Sequence, residues 1–325
     1  MLKFKKEYDI LKNHFNFSDI NNFYQFPESN INSKTYFIQN KQKKYILKYV
    51  PGNKIYCRLN KMCQILSHCN KQKILVPEPI RSKSKKFIID NHYFLTKYYP
   101  GTVFDGSNLE LNNFAKNLAL LHKSLFKIKI NYNFEPLRES YKIITKSELL
   151  KIKKRINKKQ NKKTDFDIIF LNNYELLTKS LSDVIINRKY SKSKKQLIHF
   201  DLHPGNVIFR NSNVNVIIDF GSMRKGYLID DVAFSSFRFA YYKTKNLNKI
   251  INQMKYFYDT YTKFNQLPDL LPVLPQITKL QILKRLSLIL RNYYFTNTSF
   301  WISDMEKQLK FLSIIEKIIN KWNKI

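Results

Sequence analysis

L-I-H-F-D-L-H-P-G-N-V-I-F-R-N-S-N-V-N-V-I-I-D-F-G, residues 197–221, decides how this chain is read. An apolar lead-in ends in His199 and Asp201, and Pro204-Gly205 makes a tight turn. Asn206 then opens a strand, Val207 to Phe209. Asn211-Ser212-Asn213 supplies turn chemistry, and Val214 to Ile218 reads as the returning strand. Asp219-Phe220-Gly221 closes the unit. Such a hairpin sets Asn206, where its first strand starts, beside Asp219, where its second strand ends. Asp201 precedes Asn206 by five residues, so two carboxylates and one amide oxygen are expected in one small volume.

Those residue types suit phosphoryl transfer. A hard cation on nucleotide phosphates takes oxygen ligands, commonly one or two carboxylates. Asn206 and Asp219 supply an amide oxygen and a carboxylate, leaving Asp201 to orient an attacking hydroxyl and accept its proton. His199-x-Asp201-x-His203 would also suit a metallohydrolase, since an extended segment points all three side chains to one face. That reading leaves Asn206 and Asp-Phe-Gly unused, and the other four histidines lack ligand-like spacing.

The spacing H-x-D-x-x-x-x-N followed by D-F-G resembles the protein-kinase-like superfamily. H-F-D-L-H-P-G-N-V more closely resembles the aminoglycoside phosphotransferase and choline kinase family of small-molecule kinases. The resemblance implies an α+β, protein-kinase-like bilobal fold. A small antiparallel-sheet lobe over residues 1–97 would bind nucleotide, and a mostly helical lobe over residues 98–325 would carry catalysis and substrate binding. It implies ATP and Mg²⁺ as cofactors and a small-molecule hydroxyl as acceptor. Asp201 would be the base, Asn206 and Asp219 the metal ligands, and His199 a support of the loop. His203 stands where protein kinases usually carry a basic residue, as in the small-molecule group. Only nine residues separate Gly221 from Asp231, too few for the activation segment that holds a peptide.

Upstream, Leu2, Tyr8, Leu11 and Phe15 among lysines predict an amphipathic helix within residues 1–24. Thr35 to Ile38 and Tyr45 to Val50 read as paired strands around a turn at Lys41-Gln42-Lys43. The resemblance places Lys48, in Y-I-L-K, on the nucleotide phosphates. It places Ser29, Asn30 and Asn32 in the phosphate-covering turn, which here has no glycine. A helix from about Ile55 to Ser67 follows, where the superfamily usually carries a glutamate paired with that lysine. No Asp or Glu occurs between Ser29 and Pro77. Asn60 or Gln64 could orient Lys48, or Lys48 could lean on Asp219; a nucleotide-binding pseudokinase is the alternative. Val76 to Ile80 and Phe87 to Ile89 read as short strands. Tyr93 to Gly101 resembles the strand leading into the hinge, with the backbone of Thr96, Lys97 and Tyr98 as the adenine-binding segment.

Downstream, Leu109 to Leu125 reads as a helix with Phe114, Leu118, Leu121 and Leu125 on one face, and His122, in a Leu-His that resembles the family's, as a core or interface histidine rather than a catalytic one. Lys151 to Lys163 holds eight basic residues in thirteen and reads as a solvated helix end and loop. A helix is expected over 166–186. Asp230-Asp231-Val232-Ala233 resembles the family's Asp-Leu-Ala, with Asp231 a structural cap of the next helix. Phe234, Phe237 and Tyr241 are expected in the core, and 246–325 as three more helical stretches.

Composition narrows the classes. The 325 residues are 43% hydrophobic and 15% aromatic, which is globular rather than disordered. No run of about 18 apolar residues is present, so no membrane span is expected. The first residues lack a signal peptide's apolar core, and three cysteines without a C-x-x-C suit reduced thiols in a cytoplasmic protein. The net charge of +34 would suit nucleic acid. However, Lys, Asn, Ile, Phe and Tyr are raised together and the lysines are spread along the chain. AT-rich coding explains that pattern, and no specific nucleic-acid partner is expected.

Overall fold

The computed structural model describes residues 4–27, 33–52, 55–128, 142–159, 162–182, 190, 193–296, 302–322 and 324. The chain divides into two compact units, Met1–Phe134 with His203–Met223, and Glu135–Leu202 with Arg224–Ile325.

In the first unit α1 (Lys5–Phe15) is followed by β1 (Ile20–Gln25), β2 (Lys34–Asn40) and β3 (Lys43–Tyr49). After α2 (Ile55–Lys71) come β4 (Pro79–Ile80), β5 (Ile88–Ile89) and β6 (Tyr93–Lys97). The sheet runs β1-β2-β3-β6-β4, with β5 also on β6, and every pairing is antiparallel. Ile10, Leu11 and Phe17 pack with Tyr36, Ile38, Leu47, Tyr93 and Leu95 in one apolar cluster. Because strand side chains alternate between faces, Tyr45, Leu47 and Tyr49 join that cluster, and Lys48 is presented on the other face.

The expected helix within 1–24 ends at Phe15, the last residue of its apolar pattern. Asn16 takes a left-handed conformation, φ 58°, and ends α1. Ile20 to Gln25 then pairs with β2 as an edge strand. The sheet ends at Lys97, the residue where the sequence reading divides the chain. The first unit goes on through α3 (Asn108–Phe126), and takes in β8 (Val207–Arg210) and β9 (Asn213–Ile217). Within it His122 is wholly buried, as a core histidine should be. Cys63 and Cys69 of α2 are buried free thiols, pushed by burial up to about 12 and about 11.

The β8–β9 hairpin is tied to its surroundings by backbone. Thr102 and Phe209 exchange both amide bonds at 2.9 and 2.8 Å, and Ile217 N donates to Leu75 O at 2.8 Å. Asn113 Nδ2 of α3 donates to Ser212 O at 2.8 Å. Gly101 makes the close approach possible. Its φ is 153°, and a Cβ there would lie 2.1 Å from Phe209 O.

The second unit holds α4 (Lys146–Asn157), α5 (Asp165–Asn172), α6 (Tyr174–Ser182) and the short strand β7 (Lys195–Ile198). β10 (Arg224–Tyr227) pairs antiparallel with β7. The helices α7 (Leu228–Tyr242), α8 (Leu247–Phe264), α9 (Leu274–Phe295) and α10 (Ile302–Trp322) follow. The single helix expected over 166–186 is two, broken at Asn173, and residues 183–189 lie outside the described ones. α4 keeps Ile152 and Ile156 buried while most of its basic residues face solvent. Glu148, at its first turn, meets Arg291 of α9 through two bonds of 3.1 Å, and that guanidinium helps hold its carboxyl down to about 2. Every residue from Leu228 to Tyr241 of α7 is buried, including Phe234, Phe237 and Tyr241. A helix covered on all sides is a unit's central element.

Candidate active site

In the first unit the hairpin does what its sequence predicts. Ile218 N donates to Asn206 O at 2.8 Å, so Asn206 lies opposite the residue that precedes Asp219. Asn206 is buried and closes the 3₁₀ turn Pro204–Asn206. His203 caps that turn, its Nδ1 accepting from Gly205 N at 3.1 Å. Asp219 has φ 64° and leads into a second 3₁₀ turn, Phe220–Ser222. Asp tolerates the left-handed region better than most residues, and the buried Phe220 ring anchors the bend.

Lys48 Nζ reaches Asp219 Oδ1 at 3.4 Å. The two side chains keep 29% and 49% of their exposure, so the pair adds little stability. Its consequence is positional, since it brings the sheet's lysine to the carboxylate at the hairpin's end. α2 supplies a second cation rather than an acid. Arg58 Nη2 donates to Gly221 O at 2.5 Å, pinning the segment that carries Asp219.

In the second unit Asp201 follows β7 through a left-handed residue, Phe200, φ 71°. That conformation is costly for a bulky residue and is held from several sides. Asp231, in the first turn of α7, accepts from His199 N and from Phe200 N, each at 2.7 Å. His199 is wholly buried, and its Nδ1 accepts from Asp201 N at 3.3 Å. Arg285 of α9 donates through Nη2 to Phe200 O at 2.8 Å and to Asp201 Oδ1 at 3.2 Å. Arg238 of α7 donates through Nη1 to the same Oδ1 at 2.8 Å.

Asp231 was expected as a structural acid at the opening of this helix, and it stands in the first turn. Tyr227 occupies the N-cap position, and Asp231, a turn further in, grips the backbone of the Phe200 bend. Asp230 points elsewhere, accepting from Tyr190 OH at 2.9 Å. Burial, opposed by Lys284, pushes its carboxyl up to about 6. Asp231→Ala strands two backbone donors at about 1–3 kcal/mol each. A loss of roughly 2–6 kcal/mol is expected, read as a lower midpoint in urea unfolding. Asp231→Asn, which keeps one acceptor, should recover part of it.

A model of the phosphotransferase enzyme family matches residues 24–246. The chain belongs to that family. No curated protein matches its sequence, but solved structures match its fold. A spectinomycin phosphotransferase, in complex with ADP and spectinomycin, shares 15% identity at a TM-score of 0.64 over 99% of this chain and 98% of its own. An amicoumacin kinase, in complex with AMP-PNP, Ca²⁺ and its ligand, shares 17% at 0.62 over 97% and 93%. Plasmodium vivax ethanolamine kinase shares 17% at 0.58 over 96% and 88%. At such identities the likeness is one of fold: the phosphotransferase has the kinase-like α+β fold.

In the Thr96–Tyr98 segment, expected to meet the adenine through its backbone, two amides are already in use. Lys97 N donates to Glu78 O and Tyr98 N to Lys44 O, each at 3.0 Å. Thr96 pairs with Ile46 on one side and Pro79 on the other. β6 is an interior strand through Lys97, so the backbone donors of Lys97 and Tyr98 serve the sheet itself. Ser29, Asn30 and Asn32 lie outside the described residues. Sequence reasoning missed Arg58, Arg238 and Arg285. None stands in a motif, and each acts through a tertiary contact.

Proposed function

We propose that this phosphotransferase moves the γ-phosphoryl group of ATP, with Mg²⁺, to a hydroxyl of a small molecule. The acceptor class is an amino-alcohol such as choline, a sugar, or an aminoglycoside-like alcohol. The observation that carries the reading is the hairpin end, where Asn206 and Asp219 are neighbours and Lys48 lies 3.4 Å from the carboxylate.

The donor set fits a hard cation. Among the described residues no group of three or more His, Cys, Asp and Glu could hold a metal. Asn206 and Asp219 offer two oxygens, which suits Mg²⁺, since it takes few protein ligands and completes its shell with phosphate and water. When bound, it would neutralise charge on the phosphate oxygens. Lys48 would bind the phosphates, and Asp201 would orient the acceptor hydroxyl and take its proton. His199 and Asp231 would hold the Asp201 loop. Backbone beyond Tyr98 would meet the adenine. Solved neighbours carrying AMP-PNP with Ca²⁺, or ADP, support nucleotide and divalent metal here. Neighbours named for ethanolamine, aminopropanol and spectinomycin support a small hydroxylated acceptor. No helix among the described residues is long and apolar enough to cross a membrane. The free cysteines favour a cytoplasmic enzyme, and the spread of the lysines along the chain favours the absence of a specific nucleic-acid partner.

The test is ³¹P NMR of enzyme, ATP and Mg²⁺ with a panel of amino-alcohols, sugars and aminoglycosides. ADP together with a new phosphomonoester is expected for at least one acceptor class. Intact ATP across the whole panel would contradict the reading.

A further inference from the structure

We propose that Arg238 and Arg285 are positioning residues for phosphoryl transfer, acting together on the Asp201 carboxylate. The proposal rests on the assignment of Asp201 to the acceptor end of the reaction.

Two helices far apart in sequence bring a guanidinium to one atom. Arg238 Nη1 of α7 lies 2.8 Å from Asp201 Oδ1, and Arg285 Nη2 of α9 lies 3.2 Å from it. Arg285 also ties that carboxylate to its own backbone, because the same nitrogen donates to Phe200 O. Both guanidiniums lie near the Phe234 ring, at 5.0 and 4.8 Å from its centroid, and Arg285 is 5.1 Å from that of Phe200. The pair is therefore fixed by aromatic faces as well as by the carboxylate.

The arrangement is expensive as a source of stability. Arg238 keeps 7% of its side-chain exposure, and burial pushes its guanidinium down to about 10, opposed first by Asp201. Repulsion from Arg285 pushes the same way. Two like charges brought to one carboxylate oxygen in a buried place would be replaced at little cost by apolar packing. What apolar packing could not do is fix a carboxylate's direction. A misplacement of about 1 Å in a reacting group can cost about 10²-fold, so a double clamp on Asp201 acts directly on the rate.

Other charged and titratable groups stand around the cluster, among them His199, whose Nδ1 accepts from Asp201 N at 3.3 Å. Asp304 of α10 acts on Arg238 and favours its charged form. Asp231 of α7 is committed to the His199 and Phe200 amides. Arg224 of β10 lies against the Phe200 ring. Lys284, beside Arg285 in α9, is directed to Asp230 at 3.8 Å. Removing either clamping arginine therefore takes one of two cations from Asp201 Oδ1.

The experiment measures kcat, the KM for ATP and the pH profile of kcat for R238Q, R285Q, R238K and R285K in the full chain. In the glutamine variants kcat is expected to fall about 10–100-fold with the KM for ATP within about twofold. The acid limb of their kcat profile is expected at higher pH, since loss of a neighbouring cation favours the protonated carboxylate. The lysine variants keep the charge and lose the planar fork. They should keep the acid limb in place and still lose rate. Unchanged kcat and an unmoved acid limb in R285Q would overturn the proposal. If the glutamine variants do not fold, full kcat in R285K overturns it instead. D201N in the same assay separates the two readings. A fully active D201N removes the assignment beneath the proposal, whereas an impaired D201N beside fully active arginine variants removes the proposal alone.

Discussion

Asp201→Asn lowers kcat by about 10²–10⁴-fold and leaves the affinity for ATP within about a factor of two. The substitution keeps size and one carbonyl oxygen, which can still accept from Arg238 and Arg285. It removes the negative charge and the site for the acceptor's proton. Nucleotide binding draws on Lys48, Asn206 and Asp219 in this account, none of which the change touches. The fold pays a measurable cost, because Arg238 loses the carboxylate that chiefly opposes its burial penalty. The thermal midpoint should therefore fall by a few degrees while the cooperative transition remains. Steady-state kinetics beside isothermal titration of ATP check the split. Turnover equal to the parent's would remove Asp201 from the chemistry.

Asp219→Ala has a different signature. It removes one of the two protein oxygens proposed for Mg²⁺ and releases Lys48 from its 3.4 Å partner. ATP affinity in the variant is expected to be the same with and without Mg²⁺, and turnover to fall by about 10²–10³-fold. Alanine at φ 64° also strains the backbone by roughly 1 kcal/mol or more. Asp219→Asn is the cleaner comparison, since Asn tolerates that conformation and keeps an oxygen. Its metal dependence should be weakened rather than abolished. If Asp219→Ala keeps the parent's magnesium response, the metal is held elsewhere.

What the sequence disclosed depends on how local each feature is. Asn206, Asp219 and the hairpin between them are set by strand alternation and turn chemistry within twenty residues. Lys48 was placed by its position in a strand relative to that hairpin. The structure supplies the partner that the acid-free α2 cannot, because Lys48 leans on Asp219, one of two routes open to it on sequence grounds. Arg58 takes up the contact from α2, to a carbonyl and not to the lysine. Arginine among so many basic residues gives no sign that its target is the Gly221 backbone.

The features that escaped are those fixed by packing between distant segments. Arg238 and Arg285 meet Asp201 because α7 and α9 pack in the second unit, and no spacing in S-F-R-F or L-K-R-L announces it. β1 was hidden in a stretch whose polar residues weaken the strand pattern, and Asn16 ends α1 by a backbone conformation that residue type only permits. The amides of Lys97 and Tyr98 are taken by Glu78 and Lys44. Recognising that requires knowing which strands flank β6. Asp231 was recognised as structural, but its partners lie about thirty residues upstream, beyond the reach of helix-capping rules.

The central claim is that a metal–nucleotide site is built on Asn206, Asp219 and Lys48. Calorimetric titration of ATP into the intact protein, with Mg²⁺ and then with a chelator in its place, tests it most directly. Binding that depends on Mg²⁺ is the predicted result. Equal affinity in both titrations, or no binding in either, would contradict it.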